Sequence, residues 1–186
     1  MTEGRRFLAA ALGQGDYPQA KPSFEQALEL ARESGDTKLE AMALQQIGWL
    51  VMTGGKYEEA HGERARELAG RALELARSIG DKLVQSGSLN ILAELSAEEG
   101  DEATANELYE QSLTLRRELG DKRLIANSLL TLGRAELTRG DYEKSTAHLQ
   151  EGFALSREIG DTWSMRKIGS TPAMPGGVPG GEAWST

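Results

Sequence analysis

Apolar residues recur along this chain at three- and four-residue intervals, in runs that glycine closes and aspartate reopens. In residues 121–140, DKRLIANSLLTLGRAELTRG, the positions Leu124, Ile125, Ser128, Leu129, Leu132 and Ala135 fall on one face of a helix. Asp121 predicts the N-cap, because its carboxylate accepts the otherwise unpaired backbone N–H groups of the first turn. Gly140 predicts the stop, because glycine takes the left-handed conformation beyond a helix end without a Cβ penalty. Asp141 is then expected to cap the next helix. The Gly-Asp pair stands at Gly15-Asp16, Gly35-Asp36, Gly80-Asp81, Gly100-Asp101, Gly120-Asp121, Gly140-Asp141 and Gly160-Asp161, with Gly55-Lys56 as a degenerate copy. The step is 20 residues throughout, except for 25 between Gly55 and Gly80. Two steps make a 40-residue unit. Self-similarity at such a period signals a solenoid, a propeller or an array, and the helical pattern within each half makes the units helix pairs. Each Gly-Asp lacks the further oxygen ligands of a calcium loop and the further glycines of a phosphate loop, so it reads as punctuation.

The halves are of two kinds. One places small and bulky residues at fixed offsets after the Gly-Asp: Tyr17, Ala20, Phe24 and Ala27, then Ala105, Tyr109 and Ser112, then Tyr142, Ser145, Leu149 and Gly152. The other carries a small residue at its middle, in Ile47-Gly48, Leu92-Ala93 and Leu132-Gly133. A small residue there predicts close approach of a neighbouring helix, with Phe24, Tyr109 or Leu149 filling the space between units.

This constellation resembles the tetratricopeptide repeat. The matching residues are Leu132-Gly133, then Gly140-Asp141-Tyr142, then Ser145, Leu149 and Gly152, and in the first unit Tyr17, Ala20, Phe24 and Ala27. The proline that commonly ends the second helix is missing, and the helix runs on through Arg-Glu-x-Gly-Asp, as at residues 32–36 and 157–161. That is similar to the 40-residue variety found in kinesin light chain and in helical arrays of bacterial signalling regulators. The resemblance implies an all-α fold: a right-handed superhelical solenoid of antiparallel helix pairs, with about four repeats. The expected array covers residues 1–168, with repeats at 1–35, 36–80, 81–120 and 121–160 and a partial capping helix at 161–168. Residues 169–186, GSTPAMPGGVPGGEAWST, hold three of the chain's five prolines and no helical period, and are expected to be disordered. With only Trp163, Met165 and Ile168 to cover the last unit, self-association through the C-terminal end is expected.

The second repeat is five residues too long. Inserted inside a helix, five residues would rotate everything downstream and turn Ala65, Ala69 and Ala72 away from the core. The insertion is therefore expected before Glu63, as a longer turn or as an extra helical turn broken near Gly62.

Composition narrows the function. The chain of 186 residues has 29 Asp and Glu against 21 Lys and Arg, a net charge of −8, and no Lys/Arg-rich block, which argues against nucleic acid. It has no cysteine, hence no thiol chemistry or Cys-based zinc site, and a reducing cytoplasm suits it. No apolar run is long enough to span a membrane. His61 and His148 lie in different repeats, and the residues around them read as solvent faces. No nucleophile–base–acid set is visible, so no catalytic residue, cofactor or metal is expected.

What the resemblance leaves is a groove. In tetratricopeptide arrays the first helix of each unit lines the concave side. Carried over position by position, this gives Met42, Gln45, Trp49 and Met52 in the second unit. The third gives Gly87, Asn90, Glu94 and Ala97, and the fourth gives Asn127, Leu130, Arg134 and Leu137. The first unit's row is Thr2, Arg5, Ala9 and Leu12. Trp49 with Met42 and Met52 is expected to form an apolar pocket, and Asn90, Glu94 and Arg134 to supply polar contacts. The basic residues that clamp a partner's terminal carboxylate in chaperone-adaptor arrays are absent from these rows. The implied function is a non-enzymatic module binding a partner peptide or helix. A second implied reading is a regulatory array that binds a small ligand or an ATPase module.

Overall fold

The computed structural model describes residues 3–4, 17–54 and 59–161. Among them seven helices are delimited and no strand occurs. They are α1 (Tyr17–Ser34), α2 (Thr37–Gly54), α3 (Glu59–Ser78), α4 (Lys82–Glu98), α5 (Glu102–Leu119), α6 (Lys122–Arg139) and α7 (Tyr142–Glu158). The expected capping helix at 162–168, the tail at 169–186 and the first unit's row of Thr2, Arg5, Ala9 and Leu12 lie outside the described residues.

The helix ends show why Gly-Asp recurs. Gly35, Gly80, Gly100, Gly120, Gly140 and Gly160 all have positive φ, from 66° to 83°. At Gly140 (φ 81°) the left-handed turn lets its N–H reach Leu137 O at 3.0 Å, and the Asp141 N–H reaches Glu136 O at 2.9 Å. These two bonds satisfy carbonyls that the end of a helix leaves unpaired. The aspartate thus closes one helix with its N–H and opens the next with its carboxylate. Asp36 accepts from Leu39 N at 3.0 Å, Asp81 from Val84 N and Asp101 from Thr104 N at 3.1 Å, and Asp121 from Arg123 N and Leu124 N. Asp141 departs from expectation. It stands at the N-cap position of α7 but makes no side-chain capping bond. Its carboxylate turns instead to Lys144, 3.4 Å away.

Helices joined by these short turns pack as pairs, an all-α helical-repeat solenoid. Two compact units are present, Met1–Ser112 and Leu113–Thr186, with the division inside α5.

In the first unit, Phe24, Ala27 and Ala31 of α1, Leu39, Ala43, Leu44, Ile47 and Leu50 of α2, and Leu68 and Ala72 of α3 form one buried cluster. A second joins Met52 of α2, Ala65 and Ala69 of α3, and Ile91 and Leu95 of α4. Gly48 permits the approach of α3: a Cβ there would lie 3.3 Å from Leu68 Cβ and 3.5 Å from Ala65 O. Part of the insertion lengthens α3 at its start: the helix has 20 residues against 18 in α5. This helix runs unbroken from Glu59 through Gly62, so the expected break there does not occur. Because the extra turn precedes Glu63, Ala65, Ala69 and Ala72 keep their register and are fully buried. The α5 helix is tied to α4 by the buried Ser112 hydroxyl, which donates to Ser86 O at 2.8 Å.

In the second unit, Gly133 of α6 receives Leu149 of α7, and the buried Ser145 hydroxyl donates to Gly133 O at 2.7 Å. The pair is closed further along by Gly152, against which Leu129 and Leu130 lie. Leu130, Leu149 and Phe153 pack together.

Candidate protein-interaction face

In the first unit α2 and α4 touch directly. Met42, Gln45, Trp49 and Met52 recur at turn spacing along one face of α2. Their equivalents on α4 are Gly87, Asn90, Glu94 and Ala97, each 45 residues on, the same offset as the caps Asp36 and Asp81. The two rows meet where the Gln45 side chain lies across Gly87. A Cβ at Gly87 would fall 1.7 Å from Gln45 Nε2, so only glycine leaves room for the amide in that position.

Met42, Gln45, Trp49, Asn90 and Glu94 are all half-buried. Met42 leans on the Phe24 cluster and on a smaller one of Ala41, Ala76 and Val84. Trp49 bridges the Phe24 cluster and the Met52 cluster. Met52, 7% exposed, is a core residue packed among Ala65, Ala69, Ile91 and Leu95. On α4, Asn90 Nδ2 donates to Glu94 Oε1 at 3.1 Å, which orients the carboxylate. In the second unit Asn127 and Arg134 are exposed and Leu137 is half-buried, while Leu130 is buried against Leu149. Met52 and Leu130 therefore belong to the core, and the accessible part of the predicted row is narrower than the helical period suggests.

The ends of the face are fixed electrostatically. Lys38 at the start of α2 reaches the N-cap carboxylate of α4, Asp81, at 2.8 Å. Burial raises the Asp81 pKa, but the Lys38 hydrogen bond, the backbone N–H of Val84, the charge of Lys38 and the backbone N–H of Leu83 together outweigh it. The net effect holds this carboxyl below the ordinary aspartate value. Asp101 is likewise lowered, by its hydrogen bonds from the side chain and backbone of Thr104. Arg66 with Glu99 at 2.7 Å links α3 to the end of α4.

Away from this face, sequence reasoning missed the polar pairs buried inside the hairpins. His148, expected on a solvent face, is half-buried, and its Nδ1 lies 2.8 Å from Oε2 of Glu136, which is 1% exposed. Arg116, 6% exposed, donates from Nη1 to the Ser128 hydroxyl at 2.7 Å and to Leu124 O at 3.3 Å. The signal for these pairs was present. Gly133 and Ser145, Glu136 and His148, and Arg116 and Ser128 are each 12 residues apart across a Gly-Asp turn.

With this geometry in place, comparison with known proteins fixes the class. Two family models, each described as Tetratricopeptide repeat, match residues 85–158 and 9–34. This chain belongs to the tetratricopeptide repeat family, a non-catalytic repeat scaffold that generally mediates protein–protein interaction. Its structure is similar to the crystal structure of BtubC (BKLC) from P. vanneervenii, with a TM-score of 0.63 and 19% identity. The match covers 78% of this chain and 59% of that one, and at this identity it speaks for the fold. No curated protein matches the chain. Among the described residues no helix is long and apolar enough to cross a membrane.

Proposed function

We propose that this chain is a non-enzymatic interaction module that takes a segment of a partner protein, an extended peptide or a helix, along the face shared by α2 and α4. The observation that carries the reading is the meeting of these helices over Gly87. Gln45 crosses from one to the other there, and half-buried aromatic, amide and carboxylate groups stand beside it. Such a mixture suits protein recognition. A rigid aromatic anchor supplies apolar area, while amides satisfy a partner's backbone groups. On α6, within the second unit, the positions equivalent by sequence are Asn127 and Arg134, both exposed, and Leu137, half-buried.

The test is to pan a random peptide library against the full chain and titrate the selected peptides. Trp49→Ala and Gln45→Ala should each weaken binding by about tenfold, a loss of about 1.4 kcal/mol, with far-UV circular dichroism unchanged. Undiminished binding by both variants would remove the face from consideration.

A further inference from the structure

We infer that the second unit binds an acidic peptide of its own along the outward face of α6, where Arg123 and Arg134 each take one carboxylate of an extended segment. This is independent of the α2–α4 face proposed above. α6 carries the basic residues Lys122, Arg123, Arg134 and Arg139 and a single acidic one, Glu136. Glu136 is 1% exposed and is turned to His148, so α6 offers no carboxylate to solvent. Each of the other six described helices keeps at least one carboxylate that is not buried: Glu25, Glu40, Glu67, Glu98, Glu107 and Glu143 are examples in turn. In a chain of net charge −8, a helix whose exposed charges are all positive stands apart.

Arg123 and Arg134 are both exposed, and so is Asn127 between them. The two arginines are about three turns apart, which puts them on one side of the helix, roughly 16 Å from each other along its axis. Thr131 and Thr138 share that side. Their hydroxyls donate back to Asn127 O at 3.0 Å and Arg134 O at 3.1 Å, within their own helix. Among the described residues neither guanidinium has an ion-pair partner, whereas the neighbouring Lys122 is held by Glu158. A guanidinium is a planar fork that meets a carboxylate with two parallel hydrogen bonds. An extended segment rises about 3.3 Å per residue, so carboxylates about five residues apart span the pair. The Asn127 amide, with both donors and an acceptor, then serves the backbone between them. A nucleic-acid strand also carries anions, but its affinity comes from neutralising many phosphates at once. Two arginines on an acidic chain do not supply that.

The test uses the full chain and labelled peptide pools with glutamate, glutamine or lysine at two sites about five residues apart and randomised uncharged residues elsewhere. Fluorescence anisotropy at low salt should show the glutamate pool binding about fivefold tighter than the glutamine pool, since exposed ion pairs are individually weak. The lysine pool should bind weakest, and the preference should fade as salt is raised. A pool with two adjacent glutamates has the same charge but reaches one arginine at a time, and should lose most of the preference. Replacing both arginines, Arg123→Gln with Arg134→Gln, should abolish it. Arg77→Gln, which removes an exposed arginine of α3, should preserve it. Thermal melts of both variants should match the wild type. Three results overturn the inference: equal or absent binding of the glutamate and glutamine pools, equal binding of the spaced and adjacent glutamates, or a preference that survives the double variant. A labelled oligodeoxythymidine that binds through the same two arginines more tightly than the glutamate pool also overturns it. None of these outcomes bears on the α2–α4 face, which the panned peptides test separately.

Discussion

The Arg116 guanidinium and the Ser128 hydroxyl meet at 2.7 Å, tying the last turn of α5 to the middle of α6 within the second unit. One repeat earlier the same two positions hold Ala76 and Ser88. There the Ser88 hydroxyl is fully buried and, among the described residues, has no hydrogen-bond partner. One junction thus occurs in two chemical versions, one with the donor and one without it.

Ser88→Ala should therefore stabilise the protein by about 0.5–1 kcal/mol, since it removes an unsatisfied buried group from a helix interior and installs the best helix former. Ser128→Ala should destabilise it by about 1 kcal/mol or more, because the buried guanidinium loses an acceptor. Urea melts of the two variants decide the point. Equal effects would contradict the difference between the junctions.

The Glu136–His148 pair makes a second prediction. His148→Ala leaves the buried Glu136 carboxylate without this partner and should cost about 1–3 kcal/mol. Replacing both residues by leucine should recover most of that loss, because an apolar pair of similar volume needs no compensation. A double variant less stable than His148→Ala would show that the site requires its polar groups.

Two glycine substitutions should move stability in opposite directions. A Cβ at Gly133 would stand 2.8 Å from Leu149 Cγ and 3.2 Å from Ser145 O, so Gly133→Ala should cost about 1–3 kcal/mol through overpacking. At Gly62, inside α3, a Cβ meets nothing within 4 Å. Gly62→Ala should gain about 0.5–1 kcal/mol from helix propensity. Thermal melts that rank the two variants the other way would contradict the packing described for α6 and α7.

The Asp81–Lys38 bridge sets an acid dependence. The folded pKa of Asp81 is lowered, so its contribution is fully present above the unfolded value of 3.8 and is lost as pH falls through the folded value. Lys38→Met should raise the Asp81 pKa, readable by NMR titration. It should also flatten the loss of stability below pH 3.8, leaving the variant and the wild type closest in stability at the acid end. A gap that widens on acidification would contradict this sign.

The turns were legible in the sequence because their requirement is local: a left-handed residue followed by a short acceptor, which Gly-Asp supplies at the six described turns from Gly35 to Gly160. Asp141 departs from the rule, with its carboxylate 3.4 Å from Lys144, three residues on. The hairpin polar pairs escaped notice because Glu and His read singly as solvent-facing, and burial becomes visible only when residues 12 apart are paired across a turn. The candidate row read too broadly for a related reason. A face defined by helical period alone cannot separate Met52 and Leu130, which the next helices cover, from Gln45 and Asn90, which remain accessible.

The central claim is that α2 and α4 together present the recognition face. Chemical-shift mapping of the full chain, titrated with a peptide selected by panning, tests it most directly. The account predicts the largest perturbations at the Gln45 and Asn90 side-chain amides and the Trp49 indole, with the outward residues Arg71 and Glu74 of α3 unmoved. Perturbations centred on α3, with Gln45, Trp49 and Asn90 silent, would contradict it.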